Sequence, residues 1–301
     1  MNADTETEYR IRKSKFVSVF DKAPEGAYCP AFIKLVLANG CPYHCGYCYT
    51  EGTFRGAAGP GKPVVFNNPV NDIWKEIVAG NPGLYNAGEL ADSLAPNSRY
   101  PEILSLIYNF ANKNPGDKKA LLLLTKSTYQ ENEALLSRVE RLNLHASPNI
   151  VWAVSITTKE SAERWGENSW EGRVELIKHF SDLGYRLRIR LDPITLDADG
   201  DYGNMDEIID IINNTNCELV TAGMLRPYPA LYKKNMKKYL EKSFPLELDC
   251  SMMRYNPKIR AKMFQMIRGK LNVNIPLALC KESYDVWVDA GLTVTKCCCQ
   301  I

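Results

Sequence analysis

Histidine is scarce: His44, His145 and His179 are the only three in 301 residues. They are scattered, and no H-E-x-x-H or paired-histidine spacing exists, so the ligand set of a zinc hydrolase is missing. Long apolar runs are missing too. The longest obvious one, residues 120–124, has the length of a strand, far below the roughly eighteen residues of a membrane span. Residues 1–10 are polar and acidic and lack the basic start and apolar core of a signal peptide. The expected setting is therefore a reducing cytoplasm, with no membrane partner. Charge of one sign is not in excess, since the net value of +2 does not mark a whole-protein nucleic-acid binder. Local basic stretches do occur, at Lys233, Lys234, Lys237, Lys238 and Lys242, which read as a solvated helix face, and at Arg186, Arg188 and Arg190. No linker, repeat or low-complexity segment divides the chain.

Ten cysteines are present, clustered rather than spread out. A chain of this length buries about three quarters of its unfolded surface and needs no disulfide to fold, so metal ligation or redox chemistry is the better reading of the clusters. The segment Gly40-Cys41-Pro42-Tyr43-His44-Cys45-Gly46-Tyr47-Cys48-Tyr49 sets three cysteines in a C-x3-C-x2-C array with an aromatic residue before the last. Three close thiolates can hold three irons of a 4Fe-4S cluster and leave the fourth open to a substrate or cofactor. Cys297, Cys298 and Cys299, preceded by Cys280, form a second concentration of sulfur. Alternate residues of an extended tail can face one site, so Cys280, Cys297 and Cys299 can ligate an auxiliary iron-sulfur cluster or a zinc, with Cys29 or Cys250 as a fourth ligand. The bland alternative is a reduced tail without metal. Residues 56–63 nearly match the G-x4-G-K-[ST] phosphate loop, but Pro63 replaces the hydroxyl and no strand precedes it, which excludes nucleotide hydrolysis.

Strand-length apolar runs alternate with segments of helical period, which predicts βα units and a mostly parallel sheet. Strands are expected at residues 31–38, just before Gly88, and at 120–125, 150–156, 186–191 and 218–225. Helices are expected at residues 70–79, 101–111, around Leu176, Ile177 and Phe180, and at Met205, Ile208, Ile209 and Ile212. Residues 52–69, rich in Gly and Pro, are expected to wrap the cysteine loop. The alternating arginines of 186–191 share one strand face and can offer an anion site inside a barrel. Beyond residue 229 come two or three helices and a short strand at 273–279. In parallel α/β barrels the functional groups sit just past the C-terminal strand ends, which singles out Gly88, Glu89, Lys126 and Ser155; Asp92, Ser93 and Asp192 are pocket or capping residues.

The cysteine array, with Tyr47 in its aromatic slot, resembles the signature of the radical S-adenosylmethionine (radical SAM) superfamily. The resemblance implies a partial (βα)6 parallel barrel over residues 31–228, with an N-terminal extension at 1–30 and a C-terminal, cysteine-bearing extension at 229–301 packed on it. It implies that Cys41, Cys45 and Cys48 hold the 4Fe-4S cluster, whose open iron binds S-adenosyl-L-methionine. An external electron donor of flavodoxin or ferredoxin type then triggers cleavage to a 5'-deoxyadenosyl radical that abstracts hydrogen from the substrate. Gly88 and Glu89 resemble the region that contacts the methionyl amine, and Lys126 and Ser155 resemble further cofactor contacts. Together with Gly88-Glu89-Leu90-Ala91-Asp92-Ser93 and Leu279-Cys280-Lys281-Glu282, the array resembles the spore photoproduct lyase-like, or DNA repair photolyase-like, branch. That implies lyase-type chemistry on a nucleobase or DNA-linked base, for repair or modification. No cysteine lies between Cys48 and Cys217, so the branch's hydrogen-returning cysteine is missing, and Tyr47 or Tyr49 is the candidate replacement, with packing as the other role. Two alternatives stay open: a radical SAM enzyme of a small metabolite or peptide, and a non-catalytic iron-sulfur or zinc module for sensing or electron transfer.

Overall fold

A computed structural model describes residues 6–54, 57–113, 118–196, 200, 202–240, 244–295, 297 and 299–301. Gly56, Lys242 and Cys298, named above, lie outside the described residues, as do residues 1–5. Eight strands build the main sheet: β1 (Val17–Phe20), β2 (Phe32–Leu35), β3 (Gly83–Asn86), β4 (Lys119–Thr125), β5 (Ile150–Ser155), β6 (Leu187–Ile194), β7 (Leu219–Met224) and β8 (Leu277–Leu279). Their spatial order is their order in the chain. Strands β2 to β8 run parallel, and β1 closes one edge antiparallel to β2. A sheet that advances one strand per crossover, always in the same direction, is what right-handed βα units produce. It curls into a half barrel. The short strand expected near residue 273 is β8, so a seventh parallel strand joins the six read from the periodicity.

The helices that return the chain are α1 (Val70–Ala79), α2 (Ile103–Asn112), α3 (Tyr129–Arg141), α4 (Lys159–Trp165), α5 (Trp170–Asp182) and α6 (Met205–Asn213), followed by α7 (Pro257–Lys270) and α8 (Tyr284–Asp289). The polar pattern fixes which side each buries. Met205, Ile208, Ile209 and Ile212 of α6 are all buried, as their spacing requires. Thr128 and Glu131 form a capping box at the start of α3. Strand β4 shows why its sequence lacks polar alternation: Leu121 and Leu123 face the helices, in a cluster with Ile107, Phe110 and Leu136. Ala120 and Leu122 face the concave side, where Leu84, Val151 and Ala153 form a second, smaller cluster.

The C-terminal tail covers that concave cluster. Ile301 packs against it, the Gln300 carbonyl accepts from Arg188 Nη1 at 2.6 Å, and Cys299 Sγ accepts from Asn86 Nδ2 at 3.6 Å. The arginines at 186, 188 and 190 pair with protein carboxylates that each serve two guanidiniums, so the positive charge expected of this face is reduced but not cancelled. Arg186 and Arg188 pair with Glu218 at 2.8 and 2.5 Å, and Arg190 pairs with Asp192 at 2.7 Å. Among the described residues, no helix is long and apolar enough to cross a membrane.

Candidate active site

Beyond β2 the chain forms a two-residue strand, Ala38–Asn39, against Val64–Phe66 and then turns at Gly40. This glycine has φ +70°, and a Cβ there would sit 2.5 Å from the Gly59 backbone, so only glycine fits. The segment resembling a phosphate loop instead wraps the cysteine loop, as expected for residues 52–69. Cys41 N donates to Gly59 O at 3.2 Å and Gly61 N to Tyr43 O at 2.9 Å. From the other side, Gly46 N donates to the Trp165 carbonyl at 2.8 Å.

Cys41, Cys45 and Cys48 all line one cavity of about 440 Å³. Burial pushes all three thiols up, Cys45 to about 12, with Glu167 adding to the rise at Cys45 and the neighbouring loop thiols adding to it at Cys41. Such thiols stay protonated until a cation is present, and metal coordination reverses that preference. Among the described residues, no three His, Cys, Asp or Glu side chains converge as a closed cage for a single ion. Three thiols on one wall, with no fourth from the same loop and free space beyond, suit a cluster with an open iron better than a lone metal.

The rest of the wall comes from the C-terminal ends of the parallel strands. Gly88 and Glu89 follow β3, Lys126 follows β4, Ser155 ends β5, Arg190 and Asp192 lie on β6, Arg226 follows β7 and Cys280 follows β8. Tyr47, Tyr49, Cys297 and Cys299 also line the cavity; of the candidates read from the sequence, Ser93, whose Oγ accepts from Leu124 N at 3.2 Å, and Cys250 do not. At Gly88 a Cβ would approach Leu124 Cβ to 2.5 Å and Leu124 O to 2.9 Å, so the loop can lie flat on β4 only without a side chain. The Glu89 carboxylate has no hydrogen-bond or ion-pair partner among the described residues, while its carbonyl accepts from the Tyr49 hydroxyl. Asp92 takes the capping role. Its carboxylate accepts from Leu94 N, Ala95 N, Thr125 Oγ1 and Lys126 N at 2.6–3.0 Å and ties the ends of β3 and β4 together.

Two charged networks support this wall; the sequence singled out Lys126, Arg190, Asp192 and Cys280 in them but neither Glu167 nor Arg226. In the first, Glu167 is fully buried in the turn between α4 and α5. It accepts from Lys126 Nζ at 3.2 Å, Arg173 Nη1 at 2.6 Å, Tyr47 OH at 2.5 Å and Thr157 Oγ1 at 2.9 Å. Burial alone would raise its pKa, but Lys126, Arg173 and the two hydroxyls together hold it down at about 2. Lys126 is thereby aimed, with Nζ also 3.4 Å from the Asp192 carbonyl and 5.6 Å from the Tyr47 ring centre. Ser155 Oγ donates to the same carbonyl at 3.1 Å. In the second network, Arg226 makes a two-pronged contact with Asp192 at 2.8 Å on each oxygen, and with Arg190 it overcomes burial to hold Asp192 well below the usual carboxylate range. Both guanidiniums also reach Cys280 Sγ, at 3.3 and 3.2 Å. Gly223 makes the room, since a Cβ there would lie 2.6 Å from Arg226 Nη1. Cys250 is not on this wall; its thiol donates to Asp249 Oδ1 at 3.1 Å.

No protein-family model matches this sequence, and no curated protein matches it. Solved structures do match. Spore photoproduct lyase complexed with dinucleoside spore photoproduct superposes with a TM-score of 0.68 at 17% identity, over 91% of this chain and 82% of that one. A double mutant of spore photoproduct lyase with bound AdoMet and dinucleoside spore photoproduct gives 0.65 at 18% identity, over 90% and 81%. SuiB of Streptococcus suis bound to S-adenosylmethionine gives 0.52 at 14% identity, over 84% of this chain and 51% of that one. At these identities it is the architecture alone that is shared: the chain has the partial parallel-barrel fold of spore photoproduct lyase.

Proposed function

We propose that this chain is a radical SAM enzyme acting on a nucleobase or a DNA-linked base. The observation that carries the reading is the meeting of the three loop thiols with Gly88, Glu89, Lys126 and Ser155 on one cavity, at the strand ends of a fold whose neighbours bind AdoMet. In this reading Cys41, Cys45 and Cys48 hold a 4Fe-4S cluster, residues 31–228 are the catalytic core, and the extensions on either side of it each lend one strand, β1 and β8, to its sheet. When bound and reduced by a flavodoxin- or ferredoxin-type donor, the cluster and S-adenosylmethionine supply a 5'-deoxyadenosyl radical that abstracts hydrogen from the substrate.

The protein's own residues bind, orient and exclude water. The Glu89 carboxylate, with no hydrogen-bond or ion-pair partner among the described residues, is the acceptor for the methionyl ammonium, and the bare backbone at Gly88 allows the close approach. Lys126, paired with Glu167, faces the carboxylate, and Ser155 is oriented beside it by the Asp192 carbonyl. Of the two tyrosines, Tyr49 is partly exposed and is the one we assign to hydrogen return. Tyr47, whose hydroxyl donates to Glu167, positions Lys126. The cavity mouth supports a base-bearing substrate: Tyr28 and Tyr228 are exposed there, and Lys34 and Lys281 both lie over the Phe20 ring, at 5.6 and 5.4 Å. Aromatic faces interleaved with cations are what single-stranded nucleic acid stacks and pairs with.

Anaerobically reconstituted protein mixed with S-adenosylmethionine and dithionite is expected to release 5'-deoxyadenosine; an intact cofactor would point instead to the sensing or electron-transfer module. A thymine-containing oligonucleotide is expected to bind about ten-fold more weakly after a four-fold rise in salt, from two or three phosphate contacts. Binding that ignores salt, or none, would favour a metabolite or peptide substrate.

A further inference from the structure

Besides the three loop cysteines, the cavity wall carries Cys29, Cys280, Cys297 and Cys299. They arrive from three separate segments. Antiparallel pairing of Ala27–Tyr28 with Glu282–Ser283 sets Cys29 beside Lys281 and so one residue from Cys280. Cys297 and Cys29 line the same cavity. The tail is held in place by the Arg188–Gln300 contact and by Ile301 on the concave cluster, with Cys299 anchored by Asn86. The sequence left Cys29 and Cys250 as equal candidates for a fourth ligand; the fold takes Cys29 to the wall and turns Cys250 to Asp249.

The surroundings suit thiolates. Arg190 and Arg226 both donate to Cys280 Sγ and carry one positive charge more than Asp192 neutralises. Lys281 adds another at the same wall. Net positive charge and N–H donors on sulfur stabilise an anionic, thiolate-ligated centre and tune its potential. A lone zinc needs its sulfurs within about 2.3 Å of one point, and no three such side chains meet that way among the described residues. An iron-sulfur cluster spreads its ligands, one per iron. We propose that Cys29, Cys280, Cys297 and Cys299 hold a second iron-sulfur cluster, facing the first across the substrate cavity.

The test quantifies iron, acid-labile sulfide and zinc on the full chain after anaerobic reconstitution with iron and sulfide. The Cys41→Ala/Cys45→Ala/Cys48→Ala variant is expected to keep about half of the wild-type iron and sulfide. Adding Cys29→Ala and Cys280→Ala, which the neighbouring tail cysteine cannot replace, is expected to remove the remainder. Cys250→Ala should change nothing. A triple variant that binds no iron, while its circular dichroism and melting match the wild type, would overturn the proposal, as would zinc without sulfide. Equal iron in the wild type and the triple variant would instead sink the assignment of the loop and leave this cluster standing.

Discussion

Cys45→Ala protein, reconstituted anaerobically, is expected to release 5'-deoxyadenosine more than about 100-fold more slowly than the wild type. Outer-shell changes at metal sites already cost 10–100-fold, and Cys45 is assigned as a ligand itself. Its thiol is buried, and its loop is pinned on both sides by backbone hydrogen bonds from residues 46 and 61, so no other side chain can swing in. The matching control is Cys217→Ala. Cys217 is also a buried thiol, with its sulfur on the Leu219 carbonyl at 3.2 Å, but it does not line the cavity. Both substitutions remove one buried sulfur, at about 1 kcal/mol each, and only the first should abolish cleavage. Cofactor cleavage that survives Cys45→Ala would remove the open-iron cluster from this account.

Glu167→Gln is expected to be the most destabilising single substitution at the site. Arg173, whose side chain is fully buried, would be left without its carboxylate, and Lys126 would lose its main partner. Breaking a buried pair in this way costs about 3–5 kcal/mol. The pH dependence gives an independent readout. Glu167 is held at about 2 against an ordinary value of 4.5, a depressed folded-state pKa. Its contribution is therefore fully present above about pH 4.5 and is lost as the pH falls towards 2, and it is on the order of 3 kcal/mol. Urea melts across that window should show wild-type stability falling more steeply than that of Glu167→Gln, the two curves converging at the acid end. Parallel curves would mean that the carboxylate is not ionised against Lys126 and Arg173. S-adenosylmethionine affinity should fall together with stability, since the same carboxylate aims Lys126.

Much of the fold could be read locally. The parallel sheet follows from apolar runs without alternation, such as residues 120–124, because a strand covered on both faces has no polar side to show. The positions just past the strand ends, Gly88, Glu89, Lys126 and Ser155, were legible once the strands were, since parallel strands deliver their C-terminal ends to one side. The arginines at 186, 188 and 190 were legible only in part: alternation shows which face a side chain takes but not which carboxylate meets it there, as Glu218 and Asp192 do. Glu167 carried no signal at all. It lies in a short turn between two helices, like many exposed acids, and only the packing of α5 against β5 brings Arg173 and Lys126 onto it.

By itself the sequence determined the spacing of the cysteine loop and the class of fold, because cysteine spacing over eight residues and the period of apolar residues are set within a single turn or strand. Only the tertiary structure decided which charges are neutralised, that Cys29 rather than Cys250 reaches the cavity, and that the last residues of the chain line the concave face. Those outcomes depend on groups brought together from distant segments, as Lys126 and Glu167 are across 41 positions, where burial strengthens every charge and leaves none of that strength visible in the local sequence.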